Sequence, residues 1–186
     1  NHLSYADTVL VGMTLPRLTH AFAADKYKKH LFSYILRAAG PIWINREEYD
    51  KESIVRALNV LRDGECLTIA PEGTRSHTGA MARAKTGAAY LATRTGAAIV
   101  PLAMWGAEAL FPGLKKFRRL EELHIVYGKP FRLPEGRARS EQLEHYSEEI
   151  MLELARMLPP TYHGYYADHP RLNEPRSPHL FDVLVS

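Results

Sequence analysis

The sequence predicts an α/β fold, in which a mixed, largely parallel sheet is flanked by helices in a single domain. Short apolar segments bounded by Gly, Pro or Asp alternate with longer segments whose apolar residues recur at helical spacing. With 186 residues, the chain is long enough to bury a core as one domain. The domain is expected at residues 1–158, followed by an irregular, Pro-rich C-terminal arm at 159–186.

In the first half of the chain, turn residues mark where the expected elements begin and end. Strands are expected at 20–24, 41–45 and 66–70, and helices at 8–15, 27–39 and 52–62. Ser4 and Asp7 have the spacing of a capping box, with Ser4 as the N-cap of the first helix. The run at 66–70 is apolar with β-branched residues, so we expect a strand buried on both faces. Pro71 ends it, because proline has no backbone N–H to donate.

In the second half, small residues and prolines indicate how the elements pack. Helices are expected at 86–94 and 141–158, and strands at 98–105, 122–127 and 129–133. The first of these helices is rich in Gly and Ala, which permits close packing on a sheet. Pro101 lies inside an expected strand and predicts an edge position or a bulge there. His163, His169 and His179 lack the spacing of a metal site, and no role is assigned to them.

Composition narrows the class of protein. With 46% hydrophobic and 24% charged residues, the chain is ordinary for a globular domain. The single cysteine, Cys66, excludes an intramolecular disulfide framework. No run of about 18 apolar residues exists, so none of these segments is expected to span a bilayer. The net charge is only +3, but basic clusters at 26–30 and 115–119 are either solvated surface or contacts for anionic lipid or nucleic acid.

The most informative stretch is Pro71-Glu-Gly-Thr-Arg-Ser76. It lies just beyond the carboxyl end of the expected strand 66–70, where open α/β sheets place their ligands. Gly73 lets the backbone approach a ligand closely, and Arg75 offers a planar fork of donors for phosphate or carboxylate. A polar turn with a surface Glu–Arg pair explains the tetrapeptide alone equally well. Arg46 follows a separate strand, and we expect the two arginines to converge on one anion.

His2 and Asp7 form a second candidate pair. A histidine and an acid five residues apart, across the turn into a helix, can approach each other in space. Asp7 then holds the imidazole in one tautomer and stabilises its charged form, as the acid does in a Ser–His–Asp triad. Alone, the His-x4-Asp pattern is a weak signal because chance matches are common.

Taken together, four motifs resemble those of the lysophospholipid acyltransferase superfamily, most closely the 1-acyl-sn-glycerol-3-phosphate (lysophosphatidic acid) acyltransferases. In chain order they are Asn1-His2-x4-Asp7, Gly40-Pro-Ile-Trp-Ile-Asn-Arg46, Pro71-Glu-Gly-Thr-Arg-Ser76 and Val100-Pro101-Leu102. Gly79, Lys85 and Gly87 match the family's usual continuation after the third motif. Asn45 departs from it, since an aspartate is frequent there. The resemblance says nothing about the arm after Leu158.

The resemblance implies a glycerolipid acyltransferase-like fold and a reaction. A fatty acyl group passes from an acyl thioester to the free hydroxyl of 1-acylglycerol-3-phosphate, which gives phosphatidic acid. His2 is implied as the general base and Asp7 as the residue that orients it. The implied acceptor-binding residues are Arg46, Glu72, Gly73, Thr74, Arg75 and Lys26, with the phosphate against the two arginines. Neither a cofactor nor a metal is implied, because acyl-CoA or acyl-carrier protein is the donor substrate.

The expected partners are the lysophospholipid acceptor, the acyl thioester donor (acyl-carrier protein among them) and a membrane surface, but not nucleic acid. A peripheral location on the cytoplasmic face of the cell membrane is expected. Because the chain begins inside the first motif, a preceding segment that could carry a membrane anchor is also expected. Three alternatives stay open: another acceptor, such as glycerol-3-phosphate or an ornithine or inositol lipid; a transacylase; and a non-catalytic lipid-binding domain.

Overall fold

The computed structural model describes residues 7–15, 17, 19–24, 41–44, 50–76, 78–106 and 122–175. The chain divides into two compact units, which are described separately. The first unit covers residues 8–69, and the second consists of Asp7 together with the residues from 70 onwards. The predicted helix at 27–39 and the predicted N-cap Ser4 lie outside the described residues.

The first unit contains a three-stranded parallel sheet, which confirms the predicted α/β class. Its strands are β1 (Thr19–Ala24), β2 (Ile42–Ile44) and β3 (Cys66–Thr68), and its helices are α1 (Asp7–Thr14), which begins one residue before the unit, and α2 (Lys51–Arg62). The strand order is β2-β1-β3. Where β1 pairs with β2, Phe22 lies opposite Ile42. Where β1 pairs with β3, Thr19 lies opposite Cys66.

Strand β3 is half-buried over its length, whereas the apolar run at 66–70 predicts a strand buried on both faces. The strand order gives the reason. Within the described part of the chain, β3 pairs only with β1 and lies at the end of the sheet, so one of its sides has no neighbour among these strands. Cys66 is correspondingly half-buried, with a free thiol.

Helix α2 begins at a side-chain cap. Asp50 Oδ1 accepts a hydrogen bond from the Ser53 backbone N–H at 3.0 Å, and the Ser53 hydroxyl donates to the Asp50 carbonyl at 2.9 Å. The cap satisfies one of the N–H groups that every helix start leaves without an intrahelical partner. Ala57 and Leu58 are buried on the inner face of this helix, whereas Val55, which belongs to its apolar pattern, is 54% exposed.

The second unit combines helices with a two-stranded antiparallel sheet. Its elements are α3 (Gly87–Thr95), β4 (Leu102–Trp105), β5 (His124–Tyr127), α4 (Ser140–Met157) and two short 3-10 helices at Pro160–Tyr162 and Gly164–Tyr166. Strands β4 and β5 pair from Leu102 opposite Tyr127 to Trp105 opposite His124. Helix α3 ends at Gly96, whose φ of +62° is the left-handed conformation that glycine adopts readily.

Pro101 shortens the strand predicted at 98–105. On one side of it, Ile99 and Phe131 exchange two backbone hydrogen bonds of 2.7 and 2.9 Å as an isolated bridge. On the other side, β4 begins at Leu102. Pro101 has no N–H, but its carbonyl accepts from Gly128 N at 2.9 Å. The strand predicted at 129–133 is therefore reduced to the bridge at Phe131.

The core of the second unit lies against α4. Met151, Leu152 and Ala155 on this helix have no exposed surface. Although residues 159–175 form only two short 3-10 helices, Tyr166 and Leu172 from this segment belong to the same buried cluster. The described part of the C-terminal arm is therefore packed on the domain.

Helix α4 is the longest described helix, with 18 residues. Several of its residues are charged, including Glu141, Glu144 and Arg156. None of the described helices is long and apolar enough to cross a membrane.

Candidate active site

The predicted site residues fall into two groups. His2, Lys26 and Arg46 lie outside the described residues, as do the basic clusters at 26–30 and 115–119. Asp7 and the third motif, Pro71–Ser76, belong to the second unit. The described part of the candidate site therefore consists of Asp7, the third motif and the residues that support this motif.

The third motif begins with a tight turn. Gly73 N donates a hydrogen bond to the Ala70 carbonyl at 3.0 Å, which closes a four-residue turn with Pro71 in the second position. Proline suits that position because its φ is fixed near the value that the turn requires. Pro71 and Glu72 are buried, whereas Gly73 and Thr74 are exposed. Because its N–H is used inside the turn, Gly73 has no free backbone donor for a ligand in this conformation.

Glu72 connects this turn to the loop that follows it, residues 78–86, called the flanking loop below. Its side chain is buried, with only 2% of its surface exposed. Oε2 accepts a hydrogen bond from the Ala82 backbone N–H at 2.8 Å. A buried carboxylate is costly unless it is hydrogen-bonded, so this contact helps to fix the distance between the turn and the flanking loop.

Lys85 also joins the flanking loop to the turn, although no role was predicted for this residue. Its backbone N–H donates to the Pro71 carbonyl at 2.8 Å. Its side chain runs across Gly73: a β-carbon built there would lie 2.8 Å from Lys85 Cδ and 3.3 Å from Nζ. Gly73, with a φ of +71°, is thus required both for the turn and for the path of the lysine. The match of Lys85 to the family's continuation was the only sequence signal for this position.

The turn is surrounded by charges of both signs, and the negative charge is more deeply buried than the positive ones. The Glu72 carboxylate is inside, the Arg75 side chain is half-buried, and Lys85 is exposed. A guanidinium and an ammonium near an exposed turn suit an anionic group in solvent or at a membrane surface.

Asp7 is the first residue of α1 and only 7% exposed. An acidic side chain in the first turn interacts favourably with the positive end of the helix dipole. The support of His2 by Asp7 stays a prediction, because His2 is not described.

Two histidines for which no role was predicted make local contacts. His163 is buried and its Nε2 lies 2.9 Å from the Leu158 carbonyl. His169 Nε2 lies 3.1 Å from Glu148 Oε1. Within the described ranges, no three His, Cys, Asp or Glu side chains group in a way that could hold a metal ion.

Known proteins resemble this chain in sequence and in structure. A family model described as Acyltransferase matches residues 1–105, which is more than half of the 186 residues. The chain belongs to the acyltransferase family. The match includes all four motifs, and it confirms the resemblance on which the site prediction rests.

Curated relatives of this acyltransferase-family chain share one name. The 1-acyl-sn-glycerol-3-phosphate acyltransferase of Cocos nucifera is 26% identical over 177 residues, covering 91% of this chain and 52% of the relative. The enzyme of the same name from Borreliella burgdorferi is 32% identical over 79 residues, covering 41% of this chain and 32% of the relative. The chain thus spans about half or less of the length of these relatives.

A solved structure supports the fold. The 1-acyl-sn-glycerophosphate (LPA) acyltransferase PlsC from Thermotoga maritima superimposes with a TM-score of 0.62 at 25% sequence identity. The match covers 81% of this chain and 60% of that structure. The predicted glycerolipid acyltransferase-like α/β fold is therefore confirmed.

Proposed function

We propose that this protein transfers a fatty acyl group from an acyl thioester to the free hydroxyl of 1-acylglycerol-3-phosphate, giving phosphatidic acid. Membership of the acyltransferase family and the names of the relatives support the reaction class and the acceptor. The observation that carries the acceptor assignment is the third motif, where the Lys85 side chain lies across Gly73, two residues before Arg75 in the chain. Two cations at an exposed turn suit a phosphate monoester.

In the proposed reaction, His2 removes the proton from the acceptor hydroxyl as its oxygen attacks the thioester carbonyl carbon. The new C–O bond forms, the C–S bond breaks, and the departing thiolate takes the proton from the His2 imidazolium. A positioned general base contributes about 10²–10⁴-fold to such a step. Asp7 orients the imidazole and stabilises its charge. No acyl-enzyme is required, and Cys66 is not used.

The acceptor phosphate is proposed to lie against Arg46 and Arg75, with Lys85 as a third cation. Arginine binds phosphate through two parallel N–H donors, whereas lysine contributes a point charge. Gly73 and Thr74 supply the exposed surface of the turn, and Glu72 holds the turn in place. Lys26 completes the proposed acceptor set.

Because acceptor and product are lipids, the protein is proposed to work as a peripheral protein on the cytoplasmic face of the cell membrane. The basic clusters at 26–30 and 115–119 would contribute about 1 kcal/mol of attraction per Lys or Arg close to anionic lipid. Flotation with vesicles that contain phosphatidylglycerol, at low salt, tests this location. Protein that stays at the bottom of the gradient would contradict it.

The function is tested with lysophosphatidic acid and radiolabelled acyl-CoA. Wild-type protein, a folded His2→Ala variant and a His145→Ala control, which alters an exposed histidine on α4, are compared. Phosphatidic acid from the wild type and the control, but not from His2→Ala, is expected. Equal activity of His2→Ala would remove His2 as the base. If wild type is inactive, acyl-carrier-protein and phospholipid donors and the other acceptors are tested; product from one of those would replace the proposed substrates.

A further inference from the structure

The C-terminal arm is in direct contact with the flanking loop of the third motif. Both backbone polar groups of Met81 bond to it: Met81 N donates to the Tyr162 carbonyl at 2.9 Å, and Tyr165 N donates to the Met81 carbonyl at 2.9 Å. Gly164 lies between these two bonds. A β-carbon there would be 2.3 Å from the Met81 carbonyl oxygen, so at this point only a glycine lets the two backbones approach so closely.

Tyr166 extends this contact toward the motif. Its ring is buried, with 2% of its surface exposed, and its hydroxyl oxygen accepts a hydrogen bond from Ala84 N at 3.0 Å. Burial raises the pKa of the phenol above its usual value, so the group stays neutral at physiological pH. A buried aromatic with its polar end on a backbone N–H fixes both the ring and the loop.

Two hydrogen bonds described above connect the flanking loop to the turn, so a loop held by the arm also holds the turn. Ala82 N binds the Glu72 carboxylate, and Lys85 N binds the Pro71 carbonyl. The arm contacts residues 81 and 84, and the turn contacts residues 82 and 85. The segment 81–85 therefore hydrogen-bonds to the arm at some positions and to the motif at the positions next to them.

The arm is itself attached to α4, so it can hold the flanking loop in place. The Arg156 guanidinium donates to the Leu172 and Arg171 carbonyls at 3.0 and 2.9 Å. Arg171 forms an ion pair with the buried Glu149 of α4. The residues that follow the two 3-10 helices are thus attached to the longest described helix.

We infer that the C-terminal arm positions the third motif, with the Tyr166 hydroxyl as the positioning residue that sets Glu72 and Lys85 through the flanking loop. For its effect on turnover, this inference rests on the proposed function. Tyr166 acts through the loop and is not assigned any contact with substrate. Release of the loop is expected to weaken binding of the phosphate acceptor, which Lys85 and Arg75 are proposed to hold, without changing the acyl donor's affinity.

The test compares Tyr166→Phe with Tyr165→Phe in the full chain. Both variants remove one phenolic oxygen and keep the ring. Tyr165 is 59% exposed and its hydroxyl makes no hydrogen bond to the described residues, so it serves as the matched control. Hydrogen exchange of residues 82–85 is measured by mass spectrometry, and KM is measured separately for lysophosphatidic acid and acyl-CoA.

In Tyr166→Phe, exchange at residues 82–85 and the KM for lysophosphatidic acid are both expected to rise about 2- to 12-fold, the range for loss of one hydrogen bond. The KM for acyl-CoA is expected to stay constant, and Tyr165→Phe to match wild type. A merely structural tyrosine would lower the active fraction and change neither KM. Unchanged exchange, or faster exchange with an unchanged acceptor KM, would overturn the inference.

A second variant and the exchange data keep the two hypotheses separate. Gly164→Ala, which pushes the arm off Met81, is expected to shift exchange and acceptor KM in the same direction as Tyr166→Phe. If the wild type does not turn over lysophosphatidic acid, the proposed function has failed. The exchange comparison then decides this inference: faster exchange in Tyr166→Phe than in Tyr165→Phe supports it, and equal exchange overturns it.

Discussion

Gly73→Ala is the substitution that tests the third motif most directly, because the turn and the Lys85 side chain meet at this position. The new β-carbon would lie 2.8 Å from Lys85 Cδ and 3.1 Å from Cε, closer than such atoms normally approach. Gly73 also has a φ of +71°, and a left-handed backbone costs an alanine about 1–2 kcal/mol. Because the Lys85 side chain is flexible, we expect it to move aside. The loop is expected to stay folded.

Two effects of different size follow. The free energy of unfolding should fall by about 1–2 kcal/mol, which is the backbone cost. The KM for lysophosphatidic acid should rise about fivefold, because an exposed cation–phosphate contact is worth about 1 kcal/mol. Urea unfolding measures the first effect, and initial rates at saturating acyl-CoA measure the second.

Gly79→Ala is the matched control. Gly79 also has a positive φ, of +79°, but a β-carbon there would meet nothing within 4 Å. The same loss of stability is expected, without a change in KM. In a Lys85→Ala background, where KM is already about fivefold higher, adding Gly73→Ala should raise KM no further, since the displaced side chain is absent. An unchanged KM in Gly73→Ala, or an equal rise in Gly79→Ala, would refute the assignment of Lys85 to the acceptor.

Three further predictions concern single side chains. Asp50→Ala removes the cap of α2 and should lower the free energy of unfolding by about 1 kcal/mol; an unchanged urea midpoint would contradict it. Because folding raises the Tyr166 pKa, its contribution to stability is fully present below pH 10 and is lost as pH rises above it. Unfolding titrations of Tyr166→Phe should therefore show a shallower alkaline decline than wild type. Arg75→Lys should raise the acceptor KM, since lysine lacks the planar fork; an unchanged KM would argue against phosphate binding there.

The fold class and most elements could be predicted because their signals are local. Apolar runs and turn residues located β1, β2 and α2 within one or two residues of their observed ends, and α4 likewise. The predicted strand at 98–105 was too long, since Pro101 interrupts it. Burial of β3 was also wrong, because strand order is a property of the sheet and leaves no trace in the run 66–70.

The family, the order of the four motifs and the identity of the candidate acid, base and cations could be recognised from the amino-acid sequence alone. These depend on residue types at short, fixed spacings, which can be recognised without knowing which segments meet. The folded structure was needed to show that Lys85 crosses Gly73, that Glu72 holds the flanking loop, and that Tyr166 reaches Ala84 from 82 residues away. The Tyr166 contact exists because α4 carries the arm back to the flanking loop, and no local sequence pattern encodes a contact over that separation.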